Sequence, residues 1–221
     1  MIFNANHLRN KDLLVICPTR ERPQKLHTMY SSYLDTSRNS DIILCVDVDD
    51  PTEYSVSCPV SVEPHKNNTK IINDIFNKYP NYEYYMVIND DIVFITQDWD
   101  IKLMKEGINF PEDGTGRGFP TFSVIDGAIP RRLGWLQMPR LEYLYGDTVW
   151  EMLGRLSRKL KYCPNVKISH PHVAFGGKED VISKKTNSQW QYDRDRKAFV
   201  DWMNEDLFSD LKKVNEVYGQ S

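Results

Sequence analysis

In the stretch Tyr84-Tyr85-Met86-Val87-Ile88-Asn89-Asp90-Asp91, an uninterrupted apolar run passes straight into a polar, doubly acidic triplet. A short apolar run of this kind, bounded by turn formers, is the pattern of a strand buried on both faces, as in a parallel sheet. Two earlier segments repeat it. Asp12-Leu13-Leu14-Val15-Ile16-Cys17 stops at Pro18-Thr19-Arg20, and Asp41-Ile42-Ile43-Leu44-Cys45-Val46 runs into Asp47-Val48-Asp49-Asp50-Pro51. Between these two, Leu26, Met29, Tyr30, Tyr33 and Leu34 recur at helical spacing, which predicts a helix from about Pro23 to Leu34. A weaker strand signal at Val60 to Val62 precedes a helix through about Tyr79, with Asn68 or Thr69 as its cap and Ile71, Ile72, Ile75 and Phe76 as its apolar stripe. Three βα units in succession imply a Rossmann-like α/β fold: a mostly parallel, twisted sheet flanked by helices.

Beyond Asp91 the punctuation changes. Glycines and prolines crowd Pro111 to Pro120, a surface connection, before a further strand at Thr121 to Ile125. Val149, Trp150, Leu153 and Leu156 mark one side of a helix from about Asp147 to Leu160; Val166 to Ser169 is a short strand, and Asp195 to Tyr218 reads as one or two amphipathic helices. With 221 residues, 40% of them hydrophobic, the chain has material for one large core, so a single domain is expected. Its parts are a ligand-binding half at about 12–100, a second half at about 101–183 carrying the remaining chemistry, and a helical tail at about 184–221. No apolar run approaches the roughly 20 residues that span a bilayer, and residues Met1 to Lys11 lack a secretory pattern, so a cytoplasmic location is expected. Cys17, Cys45, Cys58 and Cys163 form no CxxC pair and read as buried free thiols.

In an open parallel sheet, ligands collect beyond the carboxyl ends of the strands. Pro18-Thr19-Arg20, Asp47 to Asp50 and Asn89-Asp90-Asp91 follow three different strands, so topology brings all three to one edge. Taken singly, each acidic group is also an ordinary turn after a strand. Together, adjacent carboxylates repel unless a cation or a shared proton relieves them, and Mg²⁺ or Mn²⁺ prefers such oxygen ligands and bridges to phosphates. His170 and His172 are two positions apart around Pro171, and in an extended segment both point the same way. Either they supply nitrogen ligands, which favours Mn²⁺, or they are ordinary hydrogen-bonded histidines. Asp147 stands before a helix, as an N-cap or as a general base that takes a proton from a hydroxyl. Gly176-Gly177 suits a loop that closes over a ligand.

In this order and spacing, the clusters resemble those of GT-A glycosyltransferases, in particular the broad family-2-like group, over about Leu13 to His172. Val87-Ile88-Asn89-Asp90-Asp91 is similar to the DxD segment, and Gly146-Asp147-Thr148-Val149-Trp150 is similar to the Glu-Asp segment that opens a helix. The resemblance implies a GT-A fold and transfer of a hexosyl or pentosyl unit from a nucleotide-diphosphate sugar, foremost a UDP-sugar, to an acceptor hydroxyl. It implies donor contacts from Pro18, Thr19, Arg20, Asp47, Asp49, Asn89 and Asp90. Asp91, with a histidine from the run ending in His170-Pro171-His172, would hold Mn²⁺ or Mg²⁺, and Asp147 would be the catalytic base. Two positions depart from the pattern: Asn89 stands in place of the first acid of DxD, and Gly146 in place of the Glu.

The acceptor is less defined. Lys184 to Tyr192, with Arg194, Arg196 and Lys197, mixes basic and aromatic residues as nucleic-acid sites do, so a modified base is one acceptor class. A solvated helix face is the plainer reading of the same run. Two rivals use the same acids: nucleotidyl transfer, which ordinarily wants a glycine-rich phosphate loop that Pro18 to Pro23 does not contain, and non-catalytic binding of a sugar nucleotide or glycan.

Overall fold

The computed structural model describes residues 8–9, 11–64, 67–170 and 181–219. The expected βα succession is present. Strand β1 (Leu13–Thr19) leads into helix α1 (Pro23–Thr36), β2 (Ser40–Asp47) into β3 (Val60–Glu63), and α2 (Asn68–Lys78) into β4 (Tyr84–Val87). Then follow β5 (Val93–Phe94), α3 (Trp99–Leu103), β6 (Ile108–Glu112), β7 (Val124–Asp126), α4 (Ala128–Leu133), α5 (Gly146–Leu156) and β8 (Leu160–Ser169). Helices α6 (Val181–Thr186), α7 (Gln189–Glu205) and α8 (Leu207–Val217) end the chain.

All the strands join one sheet in the order β3-β2-β1-β4-β7-β6-β8-β5. The half from β3 to β4 is parallel throughout, and β6 pairs with β8 in parallel. Antiparallel pairs join β4 to β7, β7 to β6, and β8 to β5, so the sheet is mixed beyond β4. The parallel half is the half in which βα periodicity is plain in the sequence.

Alternation along the strands divides the core into two layers. From β1, Leu14 and Ile16 face the layer built with Ile71 and Phe76 of α2, Trp150 of α5 and Trp202 of α7. Leu13, Val15 and Cys17 face the layer built with Leu26, Met29 and Tyr33 of α1 and Trp99 of α3. Covered on both sides, β1 from Leu13 to Cys17 is wholly buried, which is why its sequence shows no polar alternation.

Several local expectations need correction. The α2 cap is Asn67, whose side chain accepts a hydrogen bond from the Lys70 amide at 2.8 Å. Helix α5 stops at Leu156, because Arg158 adopts a left-handed φ of 60° and turns the chain into β8. Pro111 lies inside β6, at a register shift between Pro111 and Glu112, where a missing ladder donor is tolerated. Cys17 and Cys45 are buried free thiols, while Cys58 and Cys163 are partly exposed free thiols. No helix among the described residues is long and apolar enough to cross a membrane.

Candidate active site

The carboxyl ends of β1, β2 and β4 open into a cavity of about 630 Å³. Its far wall is the segment from Glu142 to Asp147, and the α6–α7 junction forms its rim. Pro18, Thr19, Arg20, Asp47, Asn89, Asp90, Asp91, Asp147 and His170 all line it, so the convergence expected from topology occurs. Asp49 is not on the cavity wall. Its carboxylate holds the Arg20 guanidinium at 2.7 and 3.3 Å, while Asp47 accepts from the same Arg20 Nη1 at 2.8 Å. Asp50 continues the lacing, accepting from the Glu21 amide at 3.1 Å and the Tyr54 hydroxyl at 2.6 Å.

Asp90 and Asp91 have separate environments. Asp90 is buried, accepting from the Thr19 hydroxyl at 2.7 Å and from Arg22 Nη1 at 3.0 Å. Burial nevertheless keeps its carboxyl above the usual range, outweighing the opposing pull of Arg22 and Thr19. Asp91 turns toward His170 and Lys25. Burial pushes its carboxyl up, but His170, Arg22 and Lys25 together overcome that, and the net direction is down. The repulsion that the sequence alone assigns to a cation is therefore offset in part by Arg22 and Lys25. Both are basic residues at the start of α1, and their place beside an acidic strand end was the overlooked signal.

Asp91 Oδ1 is buried, has no well-directed hydrogen bond among the described residues, and stands 3.4 Å from His170 Nε2. Oxygen and nitrogen ligands at about 2.1 Å from one ion, at tetrahedral to octahedral angles, lie roughly 3.0 to 3.4 Å apart. The separation of the pair thus fits two ligands of one small divalent cation. Among the described residues no group of three His, Cys, Asp or Glu forms a metal site. His172 and Gly176-Gly177 lie outside the described residues.

Asp147 is in the first turn of α5 but is not its cap, which is Tyr145. Its Oδ1 accepts from the amide of Thr148 at 2.8 Å. The carboxyl keeps some contact with the cavity and is otherwise enclosed by protein, so burial pushes it above its ordinary range, with the Thr148 hydrogen bond opposing. That is the direction expected of a general base, which must hold a proton transiently. Tyr145 enters the helix with φ 68°, a strained value for a non-glycine residue, its ring stacked on Phe199 at 5.3 Å. From α7, fully buried Asp195 accepts from the amides of Glu142, Tyr143 and Leu144 at 2.9 to 3.0 Å and so fixes the wall that leads to Asp147. Nothing in the sequence around Asp195 distinguishes it from a solvated helix acid.

No protein-family model and no curated protein sequence matches this chain. Solved structures do. A TarS 1–349 chain from S. aureus superposes with TM-score 0.52 and 10% identity, over 72% of this chain and 60% of that one. A second S. aureus TarS structure gives 0.56 and 11%, over 87% of this chain and 43% of that one, so the chain spans less than two thirds of either TarS chain. The mannosyltransferase PcManGT from Pyrobaculum calidifontis, in complex with GDP-Man and Mn²⁺, gives 0.55 and 8%, over 94% of this chain and 74% of that one. The fold is GT-A. At these identities the likeness is one of fold.

Proposed function

We propose that this GT-A protein is a metal-dependent glycosyltransferase that moves a sugar from a nucleotide-diphosphate sugar to an acceptor hydroxyl. The observation that carries the reading is the buried Asp91 Oδ1, without a well-directed hydrogen bond among the described residues and 3.4 Å from His170 Nε2, in the same cavity as Asp147. Asp91 and His170 would hold Mn²⁺ or Mg²⁺, which when bound supplies charge to stabilise the diphosphate leaving group. Thr19, Arg20, Asp47 and Asn89 would line the nucleotide. Asp147 takes the proton of the acceptor hydroxyl as its oxygen attacks the anomeric carbon, and the bond from that carbon to the diphosphate breaks. Attack from the face opposite the diphosphate would invert the anomeric centre, which proton NMR of the product reads directly.

The donor is proposed to be a UDP-sugar, with GDP-sugars as the competing class. The acceptor enters at the α6–α7 junction, where Trp190 on the cavity rim leaves 69% of its surface exposed for a flat ring. A sugar or a modified nucleic-acid base can stack there. A gel shift that is salt-sensitive and is lost on neutralising exposed Lys184, Arg196 and Lys197 would identify the nucleic-acid class.

The decisive experiment is a thermal-shift screen of UDP- and GDP-sugars with and without Mn²⁺, since a ligand that binds only the folded state raises its melting temperature. A metal-dependent rise for one nucleotide class, with sugar transfer to follow, is expected. Indifference to every nucleotide with and without metal would refute the proposal. Donor binding with no transfer, in the parent and in Asp147→Asn alike, would favour a non-catalytic binding module.

A further inference from the structure

Gln137 faces the cavity next to the start of α5, at the boundary with a smaller chamber of about 80 Å³. Its backbone is fixed from α2: the Gln137 amide donates to Asn73 Oδ1 at 2.9 Å, and its carbonyl accepts from Asn73 Nδ2 at 2.7 Å. The side chain is placed differently. Its Oε1 is buried and accepts no hydrogen bond from the described residues, an arrangement that costs stability unless something else completes it.

Gly146 explains how the carboxamide reaches that position. A Cβ on residue 146 would stand 2.3 Å from Gln137 Oε1 and 2.9 Å from both Cδ and Nε2. Gly146 has no positive φ, so its backbone does not require glycine. A side chain at 146 would instead have to displace the Gln137 carboxamide, the flexible end of that residue. The departure at position 146 and the unsatisfied amide are therefore one feature: the carboxamide of Gln137 lies in the notch beside Asp147 that a side chain at residue 146 would fill.

We propose that Gln137 is a substrate-binding and specificity-determining residue whose carboxamide hydrogen-bonds a sugar hydroxyl adjacent to the reacting centre. A carboxamide both donates and accepts, as a hydroxyl does, so it matches polyhydroxylated ligands better than phosphate or an apolar aglycone. The hydroxyl belongs either to the transferred sugar or to a sugar acceptor, and the two sources separate experimentally. This inference rests on the glycosyl-transfer reading.

The test uses Gln137→Met, which keeps length and removes both hydrogen-bonding groups, and Gly146→Ala, alone and combined with Gln137→Ala. Melting temperature is measured first. A residue kept for structure would lower it when replaced, whereas Gln137→Met is expected to melt at or above the parent because a buried unpaired oxygen is removed. Affinity for the bare nucleoside diphosphate with Mn²⁺ is expected to stay unchanged. Affinity for the nucleotide sugar is expected to fall about tenfold if the hydroxyl is the donor's, or the acceptor KM to rise about tenfold if it is the acceptor's. Gly146→Ala is expected to reproduce either effect, and to add nothing further once Gln137 is already Ala. Unchanged donor affinity and acceptor KM in Gln137→Met, or a lowered melting temperature as its sole effect, would overturn the assignment. A parent that binds nucleoside diphosphate but no better with a sugar attached, and transfers nothing, would remove the glycosyl-transfer reading and this assignment with it.

Discussion

Asp195 is where a single substitution should reach the active site without touching it. The carboxylate is fully buried and takes five donors: the amides of Glu142, Tyr143 and Leu144, Gln191 Nε2 at 3.0 Å and Arg194 Nη1 at 2.5 Å. Asp195→Ala leaves three backbone N–H groups and the Gln191 amide without a partner. Each orphaned donor costs about 1–3 kcal/mol at full penalty, but relaxation and water entry recover part of this, so roughly 3–5 kcal/mol is expected in all. For a domain of this size that lowers the melting temperature by roughly 6–20 °C. Asp195→Asn keeps one acceptor oxygen and should lose about 1–3 kcal/mol. Urea unfolding monitored by tryptophan fluorescence measures both. The pH dependence gives an independent check. Burial raises the Asp195 carboxyl, but the three loop amides and Gln191 more than reverse that, and the net direction is down. A depressed folded pKa stabilises above the unfolded value of about 3.9 and loses that contribution as pH falls through the folded one. Parent stability should therefore drop more steeply in acid than that of Asp195→Asn. A loss below about 1 kcal/mol for Asp195→Ala would refute the claim that this carboxylate holds the cavity wall.

Asp147→Asn should lower turnover by about 10²–10⁴-fold and leave donor binding intact. Because burial raises the Asp147 carboxyl, its contribution is present below the usual carboxylate range and lost as pH rises through the folded value; the variant should thus melt above the parent at neutral pH, with the gain fading toward pH 4. Equal melting temperatures across that range would contradict the burial. Asp91→Asn should abolish the Mn²⁺-dependent part of the donor thermal shift, and a shift that survives intact would move the metal elsewhere. Trp190→Ala should raise the acceptor KM about 5- to 100-fold with little change in folding, since stacking on one aromatic ring contributes about 1–3 kcal/mol; an unchanged KM would take the acceptor path away from the α6–α7 junction.

The parallel half of the fold was legible because its strands are covered on both faces. Leu13 to Cys17 and Ile42 to Val46 are buried throughout, and a doubly buried strand has to be written as a continuous apolar run. The mixed half lacks that signal. Strand β5 has two residues, and β6 carries Pro111 at a register shift, so neither has the length or regularity that periodicity needs. The polar clusters at the ends of β1, β2 and β4 were readable for the same topological reason as the strands themselves. The partners of those clusters were not: Arg22 and Lys25 offset Asp90 and Asp91 through side-chain directions that sequence spacing does not encode. Gln137 and Asp195 were invisible, because each acts on a segment distant in the chain. Gln137 is held by Asn73 and packed against Gly146, and Asp195 grips residues 142–144.

Buried aspartates recur in this protein as holders of loops, and the pattern sharpens the meaning of Asp91. Asp41 accepts from the amides of Arg9 and Lys11 and from the Tyr82 hydroxyl. Asp100 accepts from the amides of Arg38 and Asn39, and Asp113 from the amide and hydroxyl of Thr115 and the hydroxyl of Thr121. In each case a carboxylate withdrawn from water is compensated by donors from the segment it holds, which is what makes its burial tolerable. Asp91 organises no loop in this way among the described residues: its Oδ1 is buried without a well-directed hydrogen bond, and its neighbours His170 and Lys25 are groups of ligand or counter-ion chemistry. These structural carboxylates are complete without a ligand. Asp91 and Gln137 line the same cavity, and each carries a buried oxygen without a well-directed hydrogen bond among the described residues, so a ligand that supplies both a cation and a hydroxyl would satisfy them together.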